Sequence, residues 1–342
     1  MKRSVVAAFA IVSFLFASNE IFAQRGSRSQ GEVLEVRLAS SMPRNSDWGR
    51  SLDRMAAEWA RVTNNEVRLR ILHDGVEGSD AKVLSSLSAD NIQAALFSSF
   101  GLAEICPAIL TLSIPFLIKN DLELETVLKE SLPYLESQTS KTNFVVLAWS
   151  KGGWVNIFSK DSILVPDDLR KHKVATNPDS GELNLAFKVM GFHLVESSSN
   201  EIGPKLANNV INAMYQTPAA IAPLGLHKTL KNMLDMPLAP FLGGIVMNRV
   251  TWNRLGPDKQ RELIRITQRI ADEFDALMPR TTINAVTMMS KDGLKLNKPS
   301  PAQEDLWRTE LHKAVPSLIG TAFDQNLYQQ INKTLERLRN GQ

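Results

Sequence analysis

Residues 149–180 read WSKGGWVNIFSKDSILVPDDLRKHKVATNPDS, and after a helical interval residues 206–218 read LANNVINAMYQTP. The run from Phe144 to Trp149 that leads into this stretch is continuously apolar, as a strand buried on both faces requires, and fits a strand crossing between two domains. Gly152 and Gly153 follow at once. A lone glycine pair is too short to cradle a pyrophosphate; at a domain crossing it supplies torsions that other residues resist. Trp154 then admits two readings, a core tryptophan on an alternating strand or an aromatic wall facing a ligand.

Outward toward the N-terminus, Val33 to Ala39 alternates, with Leu34, Val36 and Leu38 on one face and Glu35 and Arg37 on the other, which is a strand pattern. Trp48, Leu52, Met55, Ala56 and Trp59 recur at helical spacing. Val67, Leu69 and Ile71 alternate with Arg68 and Arg70 as a second strand, and the order strand, helix continues through Lys82–Ala89 and Gln93–Phe97. This alternation predicts an α/β fold with a mainly parallel sheet. Toward the C-terminus, Pro257 suits a first helical position. It opens a long helix whose apolar face carries Leu263, Ile266, Ile270, Phe274 and Leu277, with a kink expected at Pro279. From Pro301 onward the chain is amphipathic and helical, expected to pack on the second domain. No repeat of 20–50 residues suggests a solenoid.

At the N-terminus, Lys2 and Arg3, an apolar run from Val5 to Ala17, and Ile21-Phe22-Ala23 predict a cleaved signal peptide over 1–23. Residues 24–32 are expected to be a disordered leader. No cysteine lies near the cleavage point, so the expected product is periplasmic and not lipid-anchored. About 319 residues then remain, enough for two α/β domains. The 39 basic and 36 acidic residues nearly cancel, which argues against nucleic acid or anionic membrane as a partner. Cys106, the single cysteine, reads as a buried small residue. The five histidines are scattered, with no pair at metal-ligand spacing, and the nucleophile-elbow, zinc-protease and phosphate-loop motifs are missing. No catalytic constellation, cofactor or metal is expected.

The 149–218 stretch resembles the middle of the periplasmic substrate-binding subunits of TRAP (tripartite ATP-independent periplasmic) transporters. In that family a Trp-x-x-Gly-x-Arg segment leads through a Pro-x-Asp-Leu turn to a strand reading Lys-x-Arg, and a Gly-Val-Val-Asp-Gly-Gln-Glu-Asn segment follows. Here Pro166, Asp168 and Leu169 keep the turn and Lys173 keeps the strand start. Ser113-Ile-Pro-Phe-Leu-Ile-Lys-Asn120 resembles the family's Leu-Pro-Phe-Leu-Phe-x-Asp segment, and Gly243-Gly-Ile-Val-Met-Asn248 its strand returning to the first domain. The likeness covers about residues 33–335. It implies a two-lobed binding protein with a ligand cleft between the lobes and a long helix bracing both. The implied lobes are 33–152 plus 243–280 and 153–242 plus 281–342, with crossings near Lys151–Asn156 and Pro240–Gly244.

Two departures from the family pattern bear on function. The strand arginine that clamps the ligand carboxylate in the family is Ala175 here, and the earlier arginine falls on Trp154. Met214-Tyr215-Gln216 stands for Gln-Glu-Asn. A buried carboxylate needs a fixed positive partner, which arginine supplies as a bidentate fork. Its loss implies a hydrophobic small-molecule ligand. The cleft is expected to be lined by Trp154, Ala175, Asn177, Met214, Tyr215, Gln216 and Phe241, with Ser98 and Ser99 from the first lobe. The implied partners are TRAP membrane subunits and, as in a family subset that lacks the arginine, a tetratricopeptide-repeat lipoprotein. The alternative is an envelope interaction protein whose cleft is vestigial.

Overall fold

The computed structural model describes residues 33–177, 181–198 and 200–341; the expected signal peptide and leader lie outside the described residues. In chain order the elements are β1 (Leu34–Ser40), α1 (Asp47–Val62), β2 (Val67–Leu72), α2 (Asp80–Ser88), β3 (Ala94–Ser98) and α3 (Ser99–Ala103). A 3-10 segment (Pro107–Ser113) precedes α4 (Asp121–Thr139), β4 (Phe144–Ser159), α5 (Pro166–Arg170), β5 (Lys173–Thr176), α6 (Gly181–Val189) and β6 (His193–Glu196). Then come α7 (Ile202–Ala207), β7 (Ala213–Gln216), α8 (Pro218–Ile221), β8 (Asn232–Leu234), β9 (Ala239–Asn248) and α9 (Arg249–Asn253). The chain ends with α10 (Pro257–Lys291), β10 (Lys295–Asn297), α11 (Pro301–Ala314) and α12 (Gln325–Arg339).

Strand order is β2-β1-β3-β9-β4-β7-β5-β6, and β4 belongs to both halves of this path. Its first part pairs with β9, its last four residues with β7. The expected parallel pairing holds for β1 with β2 and β3, and for β5 with β6 and β7. It fails at the centre, where β9 runs antiparallel to β3 and β4, and β4 antiparallel to β7. β4 carries the chain out of the first half and β9 brings it back, so the two strands that pass between halves run in opposite directions.

Each half is covered on both faces. In the first, Val36, Leu38, Leu147, Ile245 and Met247 meet Trp48, Leu52, Met55 and Trp59 of α1. Leu263, Ile266, Ile270, Phe274 and Met278 of α10 complete that core. The opposite face joins Ala95, Phe97 and Val246 to α2, α4 and the 3-10 segment. In the second half, Ile157, Val174 and Ala213 face α6 and α11, while Phe158, Ala175 and Met214 face α7, α8 and Met289 of α10. The early turns of α10 thus sit in one half's core and its last turns in the other's. The helix is assigned without a break through Pro279.

One packing expectation is corrected. Within the segment from Pro301, α11 seats Trp307 and Leu311 in the second half's core, but α12 buries Leu327, Ile331 and Leu335 against the first half. Arg339 forks onto Glu123 of α4 at 2.9 and 2.8 Å. Burial works to raise that carboxyl, but Arg339 and the Lys119 amide outweigh it and hold it below its ordinary range. Amphipathic spacing gives a helix an apolar face without saying which core receives it.

Candidate ligand site

The site is built where β4 and β9 pass between halves. Ser150 and Lys151 pair with Gly243 and Leu242, whereas Trp154 and Val155 pair with Pro240 and Ala239, so β4 carries one extra residue between Lys151 and Trp154. Such a bulge bends the strand and re-aims the side chains beyond it. Gly153 takes the unpaired turn at φ +93°, and a Cβ there would come within 3.3 Å of Met278 Cε on α10. At Gly152 a Cβ would meet the Phe241 ring at 2.5 Å, so glycine is what lets that ring lie across the strand.

The crossing is tied to both covering helices. Asp275 of α10 accepts a hydrogen bond from Ser150 Oγ at 2.6 Å and from the Lys151 amide at 2.9 Å. Burial pushes this carboxyl up to about 6, against the opposing effect of those donors and the Lys151 charge. Lys151 Nζ pairs with Glu125 at 3.1 Å, and Trp154 Nε1 donates to Asp121 Oδ1 at 2.7 Å.

Beside the crossing is a cavity of about 20 Å³ lined by Ser99, Phe100, Leu110, Ser113, Val155, Tyr215, Pro240, Phe241 and Phe323. No side chain in this lining is ionisable apart from the Tyr215 phenol. That ring packs edge-on against Phe187 with centroids 5.2 Å apart. Burial raises its pKa, so the hydroxyl stays a donor, and no hydrogen bond engages it among the described residues. Ser113 Oγ donates weakly to the Pro240 carbonyl at 3.4 Å.

Of the residues singled out from sequence, Ser99, Tyr215 and Phe241 meet in this lining. Trp154 is adjacent to Val155 but turns to the first half's core and Asp121. Ala175 and Met214 are side by side in the second half's core, 6% and 8% exposed, beneath α7 and α8. Ser98 caps α3 and donates to Asp80 at 2.7 Å. The Asn177 carbonyl accepts from Asn184, and Gln216 Oε1 accepts from the Thr217 amide. Lys173, at the start of β5, is exposed. Phe100, Leu110, Ser113, Val155, Pro240 and Phe323 were not foreseen. Phe323 comes from the loop before α12, and nothing in its local sequence marks it.

Comparison with known proteins agrees with this architecture. Residues 38–320 match the family described as bacterial extracellular solute-binding protein, family 7. The 2,3-diketo-L-gulonate-binding periplasmic protein of Escherichia coli is 21% identical over 239 residues, covering 68% of this chain and 72% of that protein. A TRAP periplasmic solute-binding protein from Ralstonia eutropha with bound (S)-2-acetolactate superposes with TM-score 0.82 at 18% identity, covering 89% of this chain and 99% of the other. One from Sulfurospirillum deleyianum with bound succinate gives 0.80 at 17% identity, covering 87% and 98%. At such identities the likeness establishes the α/β periplasmic binding-protein fold, with α10 contacting both halves. Among the described residues no helix is long and apolar enough to cross a membrane. The chain belongs to the bacterial extracellular solute-binding proteins of family 7, a family of solute-binding proteins rather than enzymes.

Proposed function

We propose that this protein captures a small, mostly apolar ligand between its halves and delivers it to the membrane subunits of a TRAP transporter. The observation that carries the reading is the lining of the cavity: four aromatic rings, Leu110, Val155 and Pro240, two serines, and no charged group. The relatives above hold acids, and a buried acid needs a positive partner. Lys151 is committed to Glu125, and position 175 is alanine in a packed core. The Tyr215 hydroxyl would orient the ligand by donating to one neutral acceptor, in keeping with apolar sites that carry few polar groups.

Ligand pockets commonly span about 300–1,000 Å³, so a cavity of about 20 Å³ admits a ligand only if the halves part. Binding would then favour the closed state through contacts to both halves. The proposed lobes divide on β4 between 152 and 153 and on β9 between 242 and 243, with α12 packed on the first. Ser98, Trp154, Ala175, Asn177, Met214 and Gln216 form the surrounding shell in this reading. The absent strand arginine also supports a tetratricopeptide-repeat lipoprotein as the partner that brings the binding protein to the membrane subunits. The small cavity favours a second reading, an envelope interaction protein with a vestigial cleft.

Mass spectrometry of ligand carried through purification tests the choice, with calorimetry of the stripped protein against succinate, a branched 2-oxo acid and a medium-chain fatty acid. Binding of an apolar compound, weakened in Tyr215→Phe, supports the proposal. Tight succinate binding would show the anion clamp rebuilt elsewhere and overturn it. Silence against all three, with no co-purified molecule, favours the vestigial cleft.

A further inference from the structure

We infer that Phe116 is a closure latch: a first-half side chain held out of its own core so that its ring seats in the second half's core beneath Arg308. The segment between the 3-10 turn and α4 carries Ile114, Phe116 and Ile118. Ile114 and Ile118 are buried in the first half's core, whereas Phe116 packs with the cluster containing Phe187, Phe192 and Trp307. Its backbone makes this reversal possible. Phe116 has φ +61°, in the left-handed region where a bulky side chain is a marked outlier. Its amide donates at 2.7 Å to the Leu238 carbonyl, immediately before β9. Backbone strain of this kind persists only where its surroundings over-determine it, and it gathers at clamps and switches.

Arg308 on α11 places its guanidinium carbon 5.1 Å from the centre of the Phe116 ring, and pairs along its own helix with Glu304 at 3.7 Å. A cation above an aromatic face is attracted to the ring, more strongly as water is excluded. The contact therefore joins a loop of the first half to a helix of the second, outside the cavity, which neither residue lines. Phe100, which does line the cavity, makes a parallel link by packing on both cores. Opening the halves must withdraw Phe116 from its seat; closing must return it. Phe116 and Arg308 are thus positioning residues that set the balance of closed and open forms without touching ligand. The inference rests on binding by closure, not on the chemistry of the ligand.

Pulsed electron resonance on the ligand-stripped protein reads that balance directly. Spin labels go on Val76→Cys and Leu224→Cys, exposed positions in the two halves, while the native Cys106 is buried. Phe116→Ala should lower the closed-to-open ratio roughly tenfold, about the effect of losing one partly exposed aromatic–cation contact together with the ring's packing. Arg308→Gln should shift it the same way by less. Phe116→Leu should make the ratio insensitive to Arg308→Gln, which a merely structural role would not do. Phe116→Gly, freed of the φ strain, should open the halves without melting lower than Phe116→Ala. Distances unchanged in Phe116→Ala, or a shift that adds independently to that of Arg308→Gln, would overturn the latch. Because no ligand is present, that outcome leaves the choice of ligand to calorimetry.

Discussion

Asp275→Asn should remove a pH-dependent burden that the fold carries at the crossing. The carboxyl's ordinary value of 3.8 is pushed to about 6, first of all by burial. A shift of about two units corresponds to roughly 3 kcal/mol between protonation states. The folded form holds its proton to higher pH than the unfolded form. Its favourable contribution is therefore complete below about pH 4 and is lost as pH rises through about 6. Asparagine keeps an oxygen for the Ser150 hydroxyl and Lys151 amide but carries no charge. The gain at neutral pH is reduced by about 1–2 kcal/mol, because the amide nitrogen replaces an oxygen that accepts from the Lys151 amide at 3.0 Å and cannot itself accept. The variant should thus be about 1–2 kcal/mol more stable than the wild type at about pH 8, with this advantage gone near pH 4. Urea unfolding of both proteins across that range measures the difference, in which the other carboxylates cancel. A difference that does not change with pH, or one that favours the wild type increasingly above pH 6, would refute the reasoning.

Ala175→Arg should destabilise the protein by about 3–5 kcal/mol, since the side chain would enter the packed core around Phe158, Leu206 and Met214 without a counter-charge; urea unfolding checks it. Gly153→Ala should cost about 1–3 kcal/mol and lower the melting temperature, because alanine resists φ +93° and its Cβ would press on Met278. Trp154→Phe keeps the ring's packing but loses the bond to Asp121. It should cost about 1 kcal/mol, seen as a lower urea midpoint at constant slope.

Periodicity sufficed for the first half's early strands and helices and for the long helix. The alternation of Val36 and Leu38, the helical stripe from Trp48 to Trp59, and Pro257 opening a long helix all reflect local rules that a residue obeys wherever the chain goes. The apolar run into Gly152-Gly153 located the crossing, because only glycine tolerates both the left-handed turn at 153 and the Phe241 ring against 152. Likeness to a family's motif order supplied what periodicity lacks, the assignment of those elements to two halves and a long brace.

Which side chains converge was decided by tertiary structure. Strand alternation sends Ala175 and Met214 to one face of the second half's sheet and Tyr215 to the other, so neighbours in sequence part company between a core and the cavity. The extra residue at the β4 bulge settles that Val155 faces the cavity while Trp154 binds Asp121. Phe323 reaches the lining only because α12 turns back onto α4, through an Arg339–Glu123 pair whose members lie more than two hundred residues apart. The sequence by itself determined the first half's alternation of strands and helices, the crossing strand and the long helix. The direction of each side chain at the crossing, and the core that receives the last helix, depend on long-range packing that no local pattern encodes.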